Sequence, residues 1–173
     1  MKTILLGFIA AVVVLPASAV AYFRLGLAET SSDANPPAWE TFVMRSAVHA
    51  SVRRRAGIQA PPPENADEAM VEGGKLYLNG CAGCHGTPGK PGEDHSSYPR
   101  VPQLPQVGTQ YSQPEMYWII KHGIRNTAMS AYGSFYSEKE LWALTSFLRQ
   151  IDHLPPGVLE RIQTKKAADG ATK

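Results

Sequence analysis

Residues 81–85, CAGCH, are the part of this sequence best able to do chemistry. Cys81 and Cys84 are the only cysteines among its 173 residues. Three kinds of site use a Cys-x-x-Cys pair: a zinc site, a dithiol redox pair and the attachment of a c-type haem. In the last of these, both sulfurs form thioether bonds to the porphyrin, and the histidine that follows becomes an axial ligand of the iron. The elements around the motif must decide among the three.

Those elements are predicted to be helices, from the spacing of apolar residues and from capping boxes that start at Asn65, Ser112 and Ser137. The predicted helices cover residues 39–55, 65–80, 112–123 and 137–154, and no strand of any length or internal repeat is apparent. Residues 86–110 follow the motif directly, lack periodicity and contain five prolines. A loop this long is unusual inside a compact domain. A large planar cofactor would give it something to fold against.

This outline favours haem attachment at CAGCH. A dithiol pair of the thioredoxin type accompanies buried parallel strands, and none is predicted. A structural zinc site needs four ligands. The sequence offers no second cysteine pair, and His95, His122 and His153 lie in unrelated contexts. We therefore expect one covalently bound haem c, held by Cys81 and Cys84.

From about Asn65 to Leu154 the chain resembles a class I c-type cytochrome. The resemblance rests on CAGCH itself, a Gly-x-x-Tyr before it, a Pro-x-Leu after it, a methionine in a loop and apolar residues in the last helix. Besides CAGCH, the residues concerned are Gly74, Tyr77, Pro102, Leu104, Met129, Leu144 and Phe147. The resemblance implies an all-α cytochrome c fold, with three to four helices around the haem. One departure is that the methionine stands in Ala-Met-Ser, where many bacterial relatives have Gly-Met-Pro.

The same resemblance implies the contacts of the haem. His85 and Met129 would be the two axial ligands of the iron. The Pro102 carbonyl would accept a hydrogen bond from the second ring nitrogen of His85, which orients the imidazole. Leu104 would belong to the cofactor-binding residues.

Met129 is also favoured by its position, since it lies in a loop between two capped helices, 44 residues after His85. The other methionines beyond the first residue, Met44, Met70 and Met116, lie on predicted helical faces, where core packing is their ordinary role. His122, at a predicted helix end, is one alternative ligand, and an open position or a different ligand is the other.

With both axial positions filled by protein side chains, no coordination site remains for oxygen or a substrate. We therefore expect an electron carrier rather than an enzyme, with redox proteins as partners and no small-molecule substrate. Nucleic acid is not an expected partner, because no basic stripe with interleaved aromatic residues is present. Two alternatives remain open: an electron-transfer subunit of a larger membrane oxidoreductase, and a haem sensor or peroxidase with a labile Met129.

The amino terminus predicts export. Residues 4–23 carry no charge and are long enough to cross a bilayer as a helix. Residues 16–19, Pro-Ala-Ser-Ala, also end in a pattern typical of signal-peptide cleavage. Residues 1–23 are therefore interpreted as a membrane anchor or a signal peptide. The haem domain would lie in the bacterial periplasm, tethered to the inner membrane in the first case and soluble in the second.

The rest of the chain divides by composition. Residues 24–64 are predicted to be a linker with a basic helix, residues 65–155 the cytochrome domain and residues 156–173 a polar tail. The basic helix has apolar residues at spacings of three and four: Trp39, Phe42, Val43, Ala47 and Ala50. It could lie on a membrane or a partner, or dock on the main domain, and we expect the second.

Overall fold

The computed structural model describes residues 2–31, 34–58, 66–93, 97, 99–155 and 157–162. Its helices are α1 (Lys2–Arg24), α2 (Ala38–Ala56), α3 (Ala66–Gly80), α4 (Ala82–His85), α5 (Leu104–Val107), α6 (Gln113–His122) and α7 (Glu138–Leu148). A further helical turn covers residues 158–162. The described residues contain no strand, only an isolated bridge between Thr87 and Lys90. The all-α class expected from the sequence is confirmed.

The chain forms two compact units, Met1–Pro37 and Ala38–Lys173. The first unit contains α1, which has no buried residue and continues through Pro16. This helix is long and apolar enough to cross a membrane, and a signal sequence near an amino terminus would meet the same criterion. The expected N-terminal hydrophobic helix is therefore present.

In the second unit, α3 and α7 pack closely because two glycines leave room for a backbone. A Cβ at Gly73 would overlap the carbonyl group of Ala143, and a Cβ at Gly74 would meet Phe147 and Ile162. Glycine inside a helix costs about 1 kcal/mol relative to alanine, and this close approach is its physical reason. A glycine inside a predicted helix favours a close contact with another helix, and the sequence predicts Leu144 or Phe147 as the partner of Gly74. The structure gives Phe147, and it adds the role of Gly73, which was not predicted.

The core spreads from this contact to α6. Tyr117 of α6 stacks on Trp142 of α7, with the ring centroids 4.3 Å apart. Two predicted capping boxes begin these helices. The carboxylate of Glu115 accepts from the backbone of Ser112, and that of Glu140 accepts from the backbone of Ser137, each at 2.8 Å. The third predicted box starts at residue 65, which lies outside the described residues.

The structure differs from expectation at the end of the domain. Helix α7 ends at Leu148 rather than near residue 154. The part of the tail that is described, residues 157–162, includes the buried side chains of Val158 and Ile162. Ile162 is fully buried and packs over Gly74. The packed core of this unit therefore includes two residues of the segment that was predicted to be a polar tail after residue 155.

Helix α2 docks on α6, as expected, but not through the apolar residues that the sequence pattern singled out. Val52 and Ala56 are buried, and His49 stacks on Tyr111 with the ring centroids 4.9 Å apart. Trp39, by contrast, is 55% exposed. The predicted apolar residues lie on the solvent side, since α2 is apolar on two sides and spacing alone does not show which one docks.

Candidate haem site

The CAGCH motif forms the helical turn that follows α3. The amide of Cys81 donates to the carbonyl of Tyr77 at 2.8 Å, and the amide of His85 donates to the carbonyl of Cys81 at 2.9 Å. Spacings of three and four residues bring side chains to one side of a helical turn. Both thiols are free, with Cys81 half-buried and Cys84 exposed. The turn therefore presents two thiols and one imidazole together.

The thiol of Cys81 lies in an apolar setting. Burial, and secondarily the nearby Cys84, raise the pKa of Cys81 to about 11. Burial and then Cys81 also raise the pKa values of Tyr132 and Tyr136. Cys81 therefore lies beside these two stacked tyrosines, whose ring centroids are 5.8 Å apart. Neither tyrosine was singled out by the sequence, because aromatic residues in a loop have no distinguishing spacing.

One ring nitrogen of His85 is already engaged. Its Nδ1 lies 2.9 Å from the carbonyl oxygen of Pro102. Because a carbonyl only accepts, Nδ1 carries the proton, and Nε2 is the nitrogen with a free lone pair. Burial lowers the pKa of His85, against the opposing effect of the Pro102 bond, so the neutral form that metals bind is favoured. This hydrogen bond matches the one that the resemblance implied.

Gln103 holds the segment around Pro102 against the CAGCH turn. Its Nε2 donates to the carbonyl of Cys84 at 3.2 Å, and its Oε1 accepts from the amide of Gly92 at 2.6 Å. A Cβ at Gly92 would overlap the Cys84 carbonyl, so the two backbones touch. Gln103 was not among the predicted site residues, because a glutamine between a proline and a leucine has no distinguishing pattern.

Leu104 begins α5, the one helical segment that the structure describes in the proline-rich stretch after the motif. Its half-buried side chain packs against the hydrophobic core. The predicted long loop is therefore organised in part by its own contacts. Gln106 adds another, since its Nε2 donates to the carbonyl of Thr87 at 3.4 Å.

Met129 lies in the turn that follows α6. Its carbonyl accepts from the amide of Ile124 at 2.9 Å, and its amide donates to the hydroxyl of Thr127 at 3.1 Å. Gly123 starts this turn with a φ of 67°, a conformation that glycine adopts without strain. The Met129 side chain is half-buried and packs against the core.

The competing ligands are placed differently. Met70 and Met116 are buried in the core, whereas Met44 is exposed on α2. His122 is exposed at the end of α6, with its ring 4.9 Å from that of Trp118. None of the four shares the half-buried loop position of Met129.

The donor set fits a haem better than a closed metal site. Over the described segments, no three His, Cys, Asp or Glu side chains come together as ligands for a metal ion, so the zinc alternative gains no support there. Two free thiols, an imidazole with an oriented ring and a core-facing thioether are the groups that hold haem c. Cys81, Leu104 and Met129 all border one hydrophobic core.

Comparison with known proteins gives one family. The model of cytochrome c oxidase, cbb3-type, subunit III, matches residues 68–148, a little under half of the chain. No curated protein and no solved structure matches the chain. The matched range begins in α3 and ends with α7, so it covers the helices that surround the site. Residues 68–148 are a class I c-type cytochrome domain, and its function is electron transfer through haem c.

Proposed function

We propose that this chain carries one haem c, attached through Cys81 and Cys84, and passes single electrons between redox proteins. His85 and Met129 would bind the iron in this proposal, and Leu104 would contact the porphyrin. The observation that carries it is the 2.9 Å hydrogen bond from His85 Nδ1 to the Pro102 carbonyl. His85 directly follows Cys84, whose thiol is free. This hydrogen bond leaves the lone pair of His85 Nε2 available to the iron.

The bound haem supplies a one-electron couple. The residues around the haem orient its ligand and adjust the balance between reduced and oxidised iron. Pro102 fixes the plane of the His85 ring, while the Met129 thioether favours the reduced iron over the oxidised iron. With His85 and Met129 both bound to the iron, no coordination site would remain for a substrate.

The apolar α1 supports the proposal that residues 1–23 anchor the protein in the bacterial inner membrane. Residues 24–64 then form the linker that contains α2, and the haem domain lies on the periplasmic side. Thioether attachment of haem outside the cytoplasm agrees with this placement. No enzymatic activity is proposed for the chain alone.

Covalent attachment is tested by replacing both thiols. The chain with Cys81→Ala and Cys84→Ala, expressed with haem-attachment machinery, should give no haem stain on a denaturing gel. The unchanged protein should stain, and should show a low-spin spectrum in the reduced state that carbon monoxide leaves unaltered. A retained stain in the double variant would contradict attachment. Rapid carbon monoxide binding to the unchanged protein would instead support the sensor or peroxidase alternative.

A second candidate function is electron entry into a membrane oxidoreductase. It is favoured by the matched family, whose description names a subunit of an oxidase. Purification in a mild detergent decides between the two. A stable complex with integral membrane subunits would favour the subunit role, and recovery of the haem protein alone would favour the free carrier.

A further inference from the structure

Helix α2 has an apolar side that no described residue covers. The side with Val52 and Ala56 is buried against α6. The large apolar residues of the first two turns remain exposed: Trp39 at 55%, Phe42 at 71%, Val43 at 51% and Met44 at 45%. We name these four residues the α2 tip. Soluble proteins rarely expose such a group of neighbouring large apolar side chains without a binding function.

The residues after the α2 tip are basic. Helix α2 contains four arginines, at 45, 53, 54 and 55, against the single acidic residue Glu40. Arg54 and Arg55 are exposed. An aromatic and aliphatic end followed by cations is the chemistry of a helix at a bilayer surface, where tryptophan sits at headgroup level and arginine reaches lipid phosphates.

The length of the chain before α2 keeps it near the anchor. Residues 25–37 separate α1 from α2, and thirteen extended residues span at most about 45 Å. Helix α2 is thus the first element of the haem unit to follow the proposed membrane span. A tether of this length holds the α2 tip at a high local concentration near the bilayer surface.

We propose that the α2 tip inserts into the interface of an anionic bilayer, with Arg54 and Arg55 on the lipid phosphates. The docked side of α2 then holds the haem domain at the membrane surface, in addition to the tether. This inference rests on the proposed membrane anchoring. An anionic bilayer accounts for both the apolar tip and the cations, and the tether keeps α2 within reach of it.

A spin label on α2 tests the proposal in the full chain with haem bound. Both native thiols are then in thioether bonds, so Ala47→Cys supplies the single free thiol, on the exposed side of α2. The chain is placed in phosphatidylcholine vesicles with and without phosphatidylglycerol, under argon with the iron reduced. Collisions of the label with a water-soluble nickel complex should fall several-fold in the anionic vesicles, relative to detergent. A label at Ser134→Cys, in the exposed loop before α7, should stay accessible.

Further substitutions test whether the α2 tip causes this loss of accessibility. Trp39→Ser with Phe42→Ser should restore the accessibility of the label, while Phe135→Ser, at a residue 75% exposed elsewhere, should not. Arg54→Gln with Arg55→Gln should abolish the difference between anionic and neutral vesicles. The haem spectrum confirms that each variant is folded.

Two results would overturn the proposal. A label at position 47 that stays as accessible in vesicles as in detergent, on protein that sediments with them, would show that the α2 tip faces water. The tip would then be left for a protein partner. Protein that does not sediment with the vesicles would refute the membrane anchoring on which the inference rests. Covalent haem attachment would stand in both cases, because its test is independent.

Discussion

Single side chains fix the geometry around CAGCH. The carbonyl of Pro102 selects which nitrogen of His85 is free. Gln103 donates to the Cys84 carbonyl of the motif at 3.2 Å and accepts from the Gly92 amide at 2.6 Å. The resemblance implied the first of these contacts from a Pro-x-Leu pattern. The contacts of Gln103 could not be predicted, because a Pro-x-Leu pattern does not specify the middle residue, and only the folded loop shows its partners.

Replacing Met129 tests the sixth ligand. Met129→Ala should remove the weak near-infrared absorbance of a methionine bound to ferric iron and should lower the reduction potential, because a thioether stabilises the reduced state. Visible and near-infrared spectra with a redox titration measure both. Met44→Ala, at an exposed residue of α2, is the matched control and should change neither. An intact band in Met129→Ala would give the ligand role to another residue.

Replacing Gln103 tests the link between Pro102 and the motif. Gln103→Leu keeps the side-chain size but leaves the amide of Gly92 without its acceptor. We expect the free energy of unfolding to fall by about 1–3 kcal/mol, the usual cost of an unpaired polar group away from water. Urea unfolding followed by the haem absorbance measures this. Gln106→Leu, which loses one 3.4 Å bond at an exposed site, should cost clearly less. Equal losses of stability in the two variants would show that Gln103 has no special role in holding Pro102 to the motif.

At the scale of elements, the packing of α3 on α7 and the docking of α2 show where the sequence is informative. Glycine in a helix signals a close approach, so a contact of Gly74 with Leu144 or Phe147 could be predicted. The sequence does not say that Gly73 meets backbone, or that Ile162 of the polar tail completes the contact. The sequence also did not show which side of α2 docks on the domain, since periodicity marks an apolar side but not its partner.

The two glycines should differ in their tolerance of alanine. Gly73→Ala forces a methyl group onto the Ala143 carbonyl, which belongs to a rigid backbone. Gly74→Ala meets mainly the flexible end of Ile162. Denaturant unfolding should show losses of about 3 kcal/mol and about 1 kcal/mol respectively. Asn79→Ala, at an exposed position of α3, is the control and should be near neutral. A larger loss at Gly74 would contradict the described packing.

The capping boxes predict a pH dependence. Backbone and hydroxyl donors of Ser112 and Ser137 lower the pKa values of Glu115 and Glu140 below their ordinary value of 4.5. A carboxyl whose pKa is lower in the folded state stabilises the fold above its unfolded pKa. That contribution is lost as the pH falls from about 5 through the lowered values.

The variant with Glu115→Gln and Glu140→Gln keeps an acceptor oxygen at both caps but does not titrate. Urea unfolding between pH 7 and pH 3 should therefore show a flatter loss of stability at the acid end than in the unchanged protein. Glu93→Gln, at an exposed residue that caps no helix, should follow the unchanged protein. Parallel curves for all three proteins would exclude the caps as a source of acid sensitivity.

For the whole molecule, sequence and structure agree that the chain has an apolar helix and a separate haem unit. Membrane anchors and signal peptides both contain an apolar stretch of this kind, so neither the sequence pattern nor the fold distinguishes between them. The boundary after residue 155 was harder to predict, since two buried residues four apart, Val158 and Ile162, leave little mark in a polar segment.

Cell fractionation tests the anchor. If α1 is retained, the haem-stained protein should stay in the membrane fraction after washing with high salt or alkaline carbonate and be released by detergent. Its mass should include residues 1–23. The variant with Leu5→Arg and Val13→Arg, which places charge in the apolar stretch, should lose membrane retention. A soluble haem protein whose mass corresponds to a chain that starts at residue 20 would establish a cleaved signal peptide.

Tyr77 joins the core to the peptide that follows CAGCH. Its ring lies 5.3 Å from that of Phe147 in the core, and its hydroxyl donates to the Gly86 carbonyl at 2.8 Å, just beyond CAGCH. A local fluctuation that frees the attachment peptide must therefore break this bond or draw the tyrosine out of the core. The cysteine-bearing turn and the interface of α3 with α7 thus behave as one cooperative folding unit, protected together against proteases and solvent exchange.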